Sequence, residues 1–269
     1  MIKDIAVHLT GSDEDEIRLA YAQALSERFE AHVTGLYAHL LPEIVGAYPS
    51  VVIGMDTWFD ESSAHAAKTI ARLEQRFASL NMPHDVRQLD VFAGTAGQAL
   101  TAEAVANDLF VATRPYGDPL DEVHMELAVL FGAGRACLFV PPKQAASPAF
   151  GTVLVAWNGR KESARAIAEA MPILHQAGQV LVTTVDEGGT ISGDDIARHL
   201  SRHGIGSVIG TIPPSLDGPG RALLDEARRV GANLLVMGGY GHSRFMEWML
   251  GGATRYVLSN ATIPVLMAH

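Results

Sequence analysis

Short uncharged strands alternate with amphipathic helices in this chain, and the pattern is written twice; this constrains its fold more than any other feature. Thr152-Val-Leu-Val-Ala-Trp157 is apolar and β-branched and stops at Asn158-Gly159, which predicts a strand running into a turn. Ala164, Ile167, Ala168, Met171 and Leu174 then share one helical face, predicting an amphipathic helix over about 161–175. The same reading gives strands near 180–185, 207–212, 233–237 and 264–267, with helices near 194–203, 221–230 and 253–260. Strands without charge between such helices bury both faces, so the expected architecture is a parallel sheet covered on both sides, with right-handed crossovers. Ligands of such sheets bind beyond the strand C-termini.

The first half repeats this order. Ile5-Ala-Val-His-Leu-Thr10-Gly11 aligns with Val153-Leu-Val-Ala-Trp-Asn158-Gly159, Ala102-Glu-Ala104 with Asp225-Glu-Ala227, and Asp108-Leu-Phe-Val111 with Asn233-Leu-Leu-Val236. Pro141-Pro-Lys-Gln-Ala-Ala-Ser-Pro148 favours extended chain and separates the copies. The expectation is two tandem α/β domains of Rossmann-like type, 1–142 and 149–269, each with a five-stranded parallel sheet. A length of 269 residues against a prior of roughly 150 per domain agrees.

A formal charge of −10 repels nucleic-acid phosphates and anionic lipid, and no basic patch offsets it. The lone Cys137 has no internal disulfide partner, and Lys3 and Asp4 interrupt any apolar leader, so a cytoplasmic setting is expected. The charge-poor stretch 127–142 is broken by Arg135 and falls short of the roughly 20 residues a spanning helix needs.

After the strand ending at Met237 comes Gly238-Gly-Tyr-Gly241-His-Ser-Arg-Phe-Met-Glu-Trp-Met-Leu-Gly251-Gly-Ala-Thr254, a G-x-x-G, nine residues, then G-G-x-T. Glycines let an anion approach the backbone, and amides opening a helix near 251–254 donate to phosphate. This is neither a Walker A loop nor a dinucleotide fingerprint, and glycines that merely cap a strand and a helix explain the loop equally well.

With the strand end Ala156-Trp-Asn-Gly159 and the closing Ile263-Pro-Val-Leu266, these residues make the chain resemble the universal stress protein family in its tandem form, within the adenine nucleotide α-hydrolase-like folds. The resemblance spans the whole chain and is strongest over 152–269. It implies ATP, ADP or AMP, with or without Mg²⁺, at the C-terminal edge of the second sheet. Ala156, Trp157 and Asn158 would lie near adenine and ribose, Val185 against the base, and Met237 and Gly238 near the ribose. Gly241, Gly251, Gly252, Ala253 and Thr254 would line the phosphates, and His242 and Arg244 would add attraction or stand as solvated loop residues.

Two positions depart from the family pattern. Asn158 stands where ATP-binding relatives carry Asp, keeping an acceptor but losing charge, and Gly252 stands where a hydroxyl usually meets phosphate. In the first half Val123 and His124 fall where Gly251 and Gly252 stand, and Pro115 and Pro119 remove amide donors, so no triphosphate cradle is expected there. The role implied for that half is structural or partner-binding.

The stretch from His39 to Asp60 contains Pro42, Tyr48, Pro49, Met55, Trp58 and Phe59, and reads as a lid, a dimer contact or an irregular helix, with packing favoured over ligand chemistry. His199 and His203 stand four apart without a metal-binding partner motif, and Cys137 reads as a buried, inert thiol. No nucleophile elbow occurs and no pair of residues nominates a general base, so no catalytic residues are assigned. The acidic runs Glu14-Asp-Glu16 and Asp225-Glu226 read as solvated helix faces. The leading expectation is a stress protein with an adenine nucleotide as switch or structural ligand. The rivals are a nucleotide-free interaction module and an adenylate-forming or slowly ATP-hydrolysing enzyme. Pairing is expected through 136–140 and 264–267, as a homodimer or between the two domains of one chain, alongside protein partners that the residues do not name.

Overall fold

Each half of the chain alternates strand and helix, as its hydrophobic pattern requires. A computed structural model describes residues 1–43, 55–116, 124–143, 146, 148–186, 188, 191–240 and 252–269. In the first half, β1 (Asp4–Leu9), α1 (Glu14–Phe29), β2 (His32–Leu40), α2 (Met55–Ala78), β3 (His84–Val91), α3 (Ala93–Ala104), β4 (Leu109–Thr113), α4 (Met125–Gly132) and β5 (Ala136–Val140) follow in order. The second half runs β6 (Thr152–Ala156), α5 (Lys161–Leu174), β7 (Gln179–Val185), α6 (Asp194–Arg202), β8 (Val208–Ile212), α7 (Pro219–Arg229), β9 (Leu234–Gly238), α8 (Ala253–Asn260) and β10 (Val265–Ala268).

The strands form one sheet of ten, in the order β3-β2-β1-β4-β5-β10-β9-β6-β7-β8. Every neighbouring pair is parallel except β5 and β10, which run antiparallel with Leu138 opposite Leu266. The two expected five-stranded sheets are therefore present but fused edge to edge within one chain. Cys137, Leu138, Phe139, Val265, Leu266 and Met267 are all buried at the seam, so its outermost strands bury side chains instead of exposing open edges. Arg114 crosses the seam and donates to the Leu258 and Ala261 carbonyls, capping the end of α8.

Both sheet faces are covered. One core holds Ile5, Val7, Leu19, Leu25, Val153 and Ile167, under α1, α2, α5 and α6. The other holds Ala6, Leu100, Phe110, Leu154, Leu224 and Val257, under α3, α4, α7 and α8. Successive residues of β1 and β6 alternate between these cores, as the two-residue period of a strand demands. The helix ends follow local chemistry: Pro219 opens α7, and Gly204, at φ +76°, turns the chain out of α6.

Two expectations are corrected. Strand β8 is an edge and is not buried on both faces: Val208 is 57% exposed. Of the 39–60 stretch, residues 44–54 lie outside the described residues, while His39 and Leu40 close β2 and 55–60 open the 24-residue α2. Among the described residues no helix is long and apolar enough to cross a membrane.

Candidate functional site

Chain order and strand order part company at one place in each half. From β6 the chain passes to β7 and β8, then returns to the other side of β6 as β9 and β10. The crevice between the ends of β6 and β9 is thus a topological switch point, the usual ligand position in open α/β sheets. The ends of β1 and β4 form the matching crevice of the first half.

In the second half this crevice gathers most of the sequence-predicted residues. Ala156 ends β6, and the Trp157 amide donates to the Thr183 carbonyl at 2.9 Å, extending the pairing with β7 by one residue. The Asn158 carboxamide oxygen accepts from the Arg160 amide at 3.2 Å, a local turn that leads into α5, where the Ser163 hydroxyl donates to the Arg160 carbonyl at 2.8 Å. Val185 ends β7 on the same edge of the sheet.

Across the crevice, Met237 is buried and Gly238 ends β9. A Cβ on Gly238 would lie 2.6 Å from backbone atoms of Glu162 and Ser163, so the bare glycine is what lets β9 close against the start of α5. Gly252 is the N-cap of α8 and has no side chain with which to cap it, leaving the opening amides of the helix uncovered by their own cap. Thr254 is buried, at 3% exposure, and its hydroxyl accepts from the Tyr240 amide at 3.1 Å, tying the end of β9 to α8. Gly241, His242, Arg244 and Gly251 lie outside the described residues.

The first-half crevice is filled from within. Arg18 on α1 donates to the Thr113 hydroxyl at the end of β4 (2.9 Å), to the Thr10 hydroxyl beyond β1 (2.8 Å), and to the Asp15 carboxylate. Asp15 in turn accepts from the Thr10 and Gly11 amides at 3.0 and 2.8 Å. Both charged groups are buried, so the ion pair is desolvated and held by its hydrogen bonds. Asp15 therefore does not belong to a solvated acidic face, contrary to the sequence reading; Glu226 on α7 is likewise buried, against Arg229. His8 takes the place of Ala156, buried on the opposite face with its Nε2 unbonded. Burial first, and the Arg18 charge second, lower its pKa to about 3, so its imidazole is neutral.

His124 caps α4 at the position that Gly252 holds on α8, as the alignment expects, and its ring meets Tyr116 edge-on at 4.6 Å. Across the seam the Tyr116 and Tyr240 hydroxyls stand 3.3 Å apart, and Phe131 packs on Tyr240 at 5.0 Å. The segment entering the glycine-rich stretch thus touches the first half directly. A separate groove of about 300 Å³ between α7 and α8 is lined by Arg221, Leu224, Tyr256 and Ile263. It opens at the strand N-termini, at the opposite sheet edge from the switch point, and Arg221 there is committed to Asp225 and the Tyr256 hydroxyl. Burial pushes the Cys137 thiol up, the Glu126 charge adding to it, which keeps it protonated and unreactive.

The tandem, doubly wound fold has a switch point closed by its own ion pair in the first half and, among the described residues, no such bridge in the second. The model of the universal stress protein family matches residues 216–269. The structure is similar to a universal stress protein from Archaeoglobus fulgidus DSM 4304, at 14% identity and a TM-score of 0.76 over 98% of this chain and 95% of that one. It is also similar to a putative universal stress protein from Pseudomonas aeruginosa UCBPP-PA14, at 17% identity and a TM-score of 0.60 over 99% and 93%. No curated protein matches the chain in sequence. The chain shares the fold of these structures over nearly its whole length, and its last strands and helices, within 216–269, match the family model.

Proposed function

We propose that the second half binds an adenine nucleotide, ATP, ADP or AMP, in the β6–β9 crevice as a switch or structural ligand, while the first half braces it. The observation that carries this reading is the contrast between the crevices. Arg18 bridges the ends of β1 and β4, whereas the corresponding α5 position is Ala166, which has no side chain long enough to bridge β6 and β9. Strand ends, the bare start of α8 and the absence of a side chain at Gly252 suit a base and its phosphates. Mg²⁺ would accompany a triphosphate. The domain pairing that a single-domain relative would seek in a homodimer is met here inside the chain by β5 and β10.

Native mass spectrometry and thermal-shift titration with ATP, ADP, AMP and a GTP control, with and without Mg²⁺, test the proposal. A ligand at 100 times its Kd stabilises the folded state by about 2.7 kcal/mol, which a melting curve resolves. Gly252 has φ −52° and ψ 162°, an extended conformation any residue adopts, so Gly252→Leu should remove an adenine-selective shift without unfolding the protein. A flat response at millimolar nucleotide would favour the second reading, a nucleotide-free interaction module. One observation speaks for that reading: the Thr254 hydroxyl and the Asn158 oxygen both already serve the protein's own amides.

A further inference from the structure

Three side chains from separate elements of the first half meet near the C-terminal ends of β2 and β3, on strands outside both switch points. The parallel register sets His39 opposite Asp90, and Ser62 reaches them from α2. Asp90 Oδ1 lies 2.7 Å from His39 Nδ1, and Ser62 Oγ lies 2.9 Å from His39 Nε2. The Tyr37 ring stacks on the imidazole at 6.4 Å and 21°, fixing its plane. Hydrogen bonds from His39 and Gln88 hold the Asp90 carboxyl below its ordinary range, so it is an anion that only accepts. Nδ1 therefore carries a proton, and in the neutral imidazole Nε2 presents its lone pair to the Ser62 hydroxyl. This is the tautomer and order of a nucleophile, a general base and an orienting carboxylate. The imidazole is buried, while Ser62 is half-buried and the Asp90 side chain is 55% exposed, so the site opens to solvent on the hydroxyl and carboxylate side.

We propose that Ser62 is a nucleophilic serine, with His39 as its base and Asp90 as a positioning residue, that accepts the acyl group of activated carboxylic esters. Ser62 Oγ bonds to the ester carbonyl carbon as its proton passes to His39 Nε2, and the carbonyl π pair moves onto oxygen. Collapse of that adduct breaks the bond to the leaving oxygen, which takes the proton from Nε2. Water then attacks the acyl-serine, giving one proton to Nε2 and from there to Oγ, so the sum is ester plus water to acid plus alcohol. The position of Ser62 inside α2 limits the substrate. Amides of the helix interior are engaged in the helical ladder, so the nucleophile's own turn supplies no oxyanion donors. The leaving group must therefore be good in itself, as in aryl esters with a short acyl chain.

The full chain is treated with a fluorophosphonate probe, and with p-nitrophenyl acetate in a separate assay, and adducts are mapped by peptide mass spectrometry. The expected result is a single phosphonyl adduct on Ser62, at a rate that rises with pH as one group loses its proton. Ser62→Ala should abolish the adduct and Ser63→Ala, its exposed neighbour, should leave it unchanged. His39→Gln should slow labelling by about 100-fold and Asp90→Asn by about tenfold. No adduct on Ser62 in the wild-type protein, or labelling of Ser62 that ignores both His39→Gln and pH, overturns the proposal. If a variant fails to fold, the adduct position and pH profile of the wild-type protein decide alone. None of these readouts depends on nucleotide binding in the second half.

Discussion

The two switch points of this molecule are built by the same strand order and finished in opposite ways. In the first half, Arg18 and Asp15 close the crevice with a buried ion pair, and His8 adds an imidazole beside the strand end. In the second, the corresponding residues are Ala166, Ser163 and Ala156, whose small side chains leave that bridge unmade. The helices otherwise correspond: Leu19, Ala22 and Leu25 of α1 and Ile167, Ala170 and Ile173 of α5 are all buried against the same core. The difference teaches that one fold can close its switch point with a structural brace or leave that brace out. Two side chains on the first helix of each half make that difference: Asp15 and Arg18 in one, Ser163 and Ala166 in the other.

Breaking the brace gives the largest expected effect. Arg18→Ala leaves the Asp15 carboxylate buried without its cation and should cost about 3–5 kcal/mol in denaturant unfolding. The double change Asp15→Ala and Arg18→Met should recover part of that loss, because an apolar pair needs no desolvation of charge. A double mutant as unstable as the single one would show that the hydrogen bonds from Asp15 to the Thr10 and Gly11 amides carry the brace.

In the second half, Gly238→Ala should cost about 1–3 kcal/mol, because its Cβ meets the rigid backbone of α5 and the backbone must shift. Equilibrium unfolding measures the cost. An unchanged stability would mean that the β6–β9 crevice yields where the packing says it is tight.

His8 sharpens the same contrast through pH. Its folded pKa of about 3 lies below the ordinary histidine value, so the unfolded chain binds a proton that the folded one refuses. Its contribution to stability is complete above about pH 6.5 and is lost as pH falls toward 3, at up to about 1.4 kcal/mol per pH unit. Unfolding titrations of wild type and His8→Leu should differ by that slope, with the variant the flatter. Equal slopes would place the acid sensitivity elsewhere.

The smallest expected effect is at the seam. Tyr240→Phe removes the contact between the Tyr116 and Tyr240 hydroxyls and should cost about 0.5–1.5 kcal/mol by thermal unfolding. A loss well beyond that would make the tyrosine pair a principal tie between the halves.

The elements were legible because hydrophobic period and turn chemistry are local. The helix expected near 161–175 runs from Lys161 to Leu174, that near 253–260 runs from Ala253 to Asn260, and strands near 136–140 and 264–267 pair as expected. The candidate nucleotide residues were legible as glycine spacing and strand ends, and the fold gathers Ala156, Trp157, Asn158, Gly238 and Gly252 along one edge. What Thr254 bonds to was not legible, since its partner amide at Tyr240 lies 14 positions away in the chain. Asp15 read as surface because an acidic run at a helix start is usually solvated; only the approach of β4 with Thr113 shows Arg18 and Asp15 to be buried.

By itself, then, the sequence determined the alternating elements, their duplication and the parallel sheets, and its glycine spacing nominated a place for a phosphate-accepting backbone. Each of these follows from periodicity and turn chemistry over a few residues. The tertiary structure alone decided that the halves share one sheet, that one crevice is braced by its own ion pair, and that His39, Ser62 and Asp90 stand within hydrogen-bond reach of one another. Those outcomes depend on contacts between residues as far as 147 positions apart, Arg114 with Ala261, and the crossover topology that brings them together leaves no periodic trace in the chain.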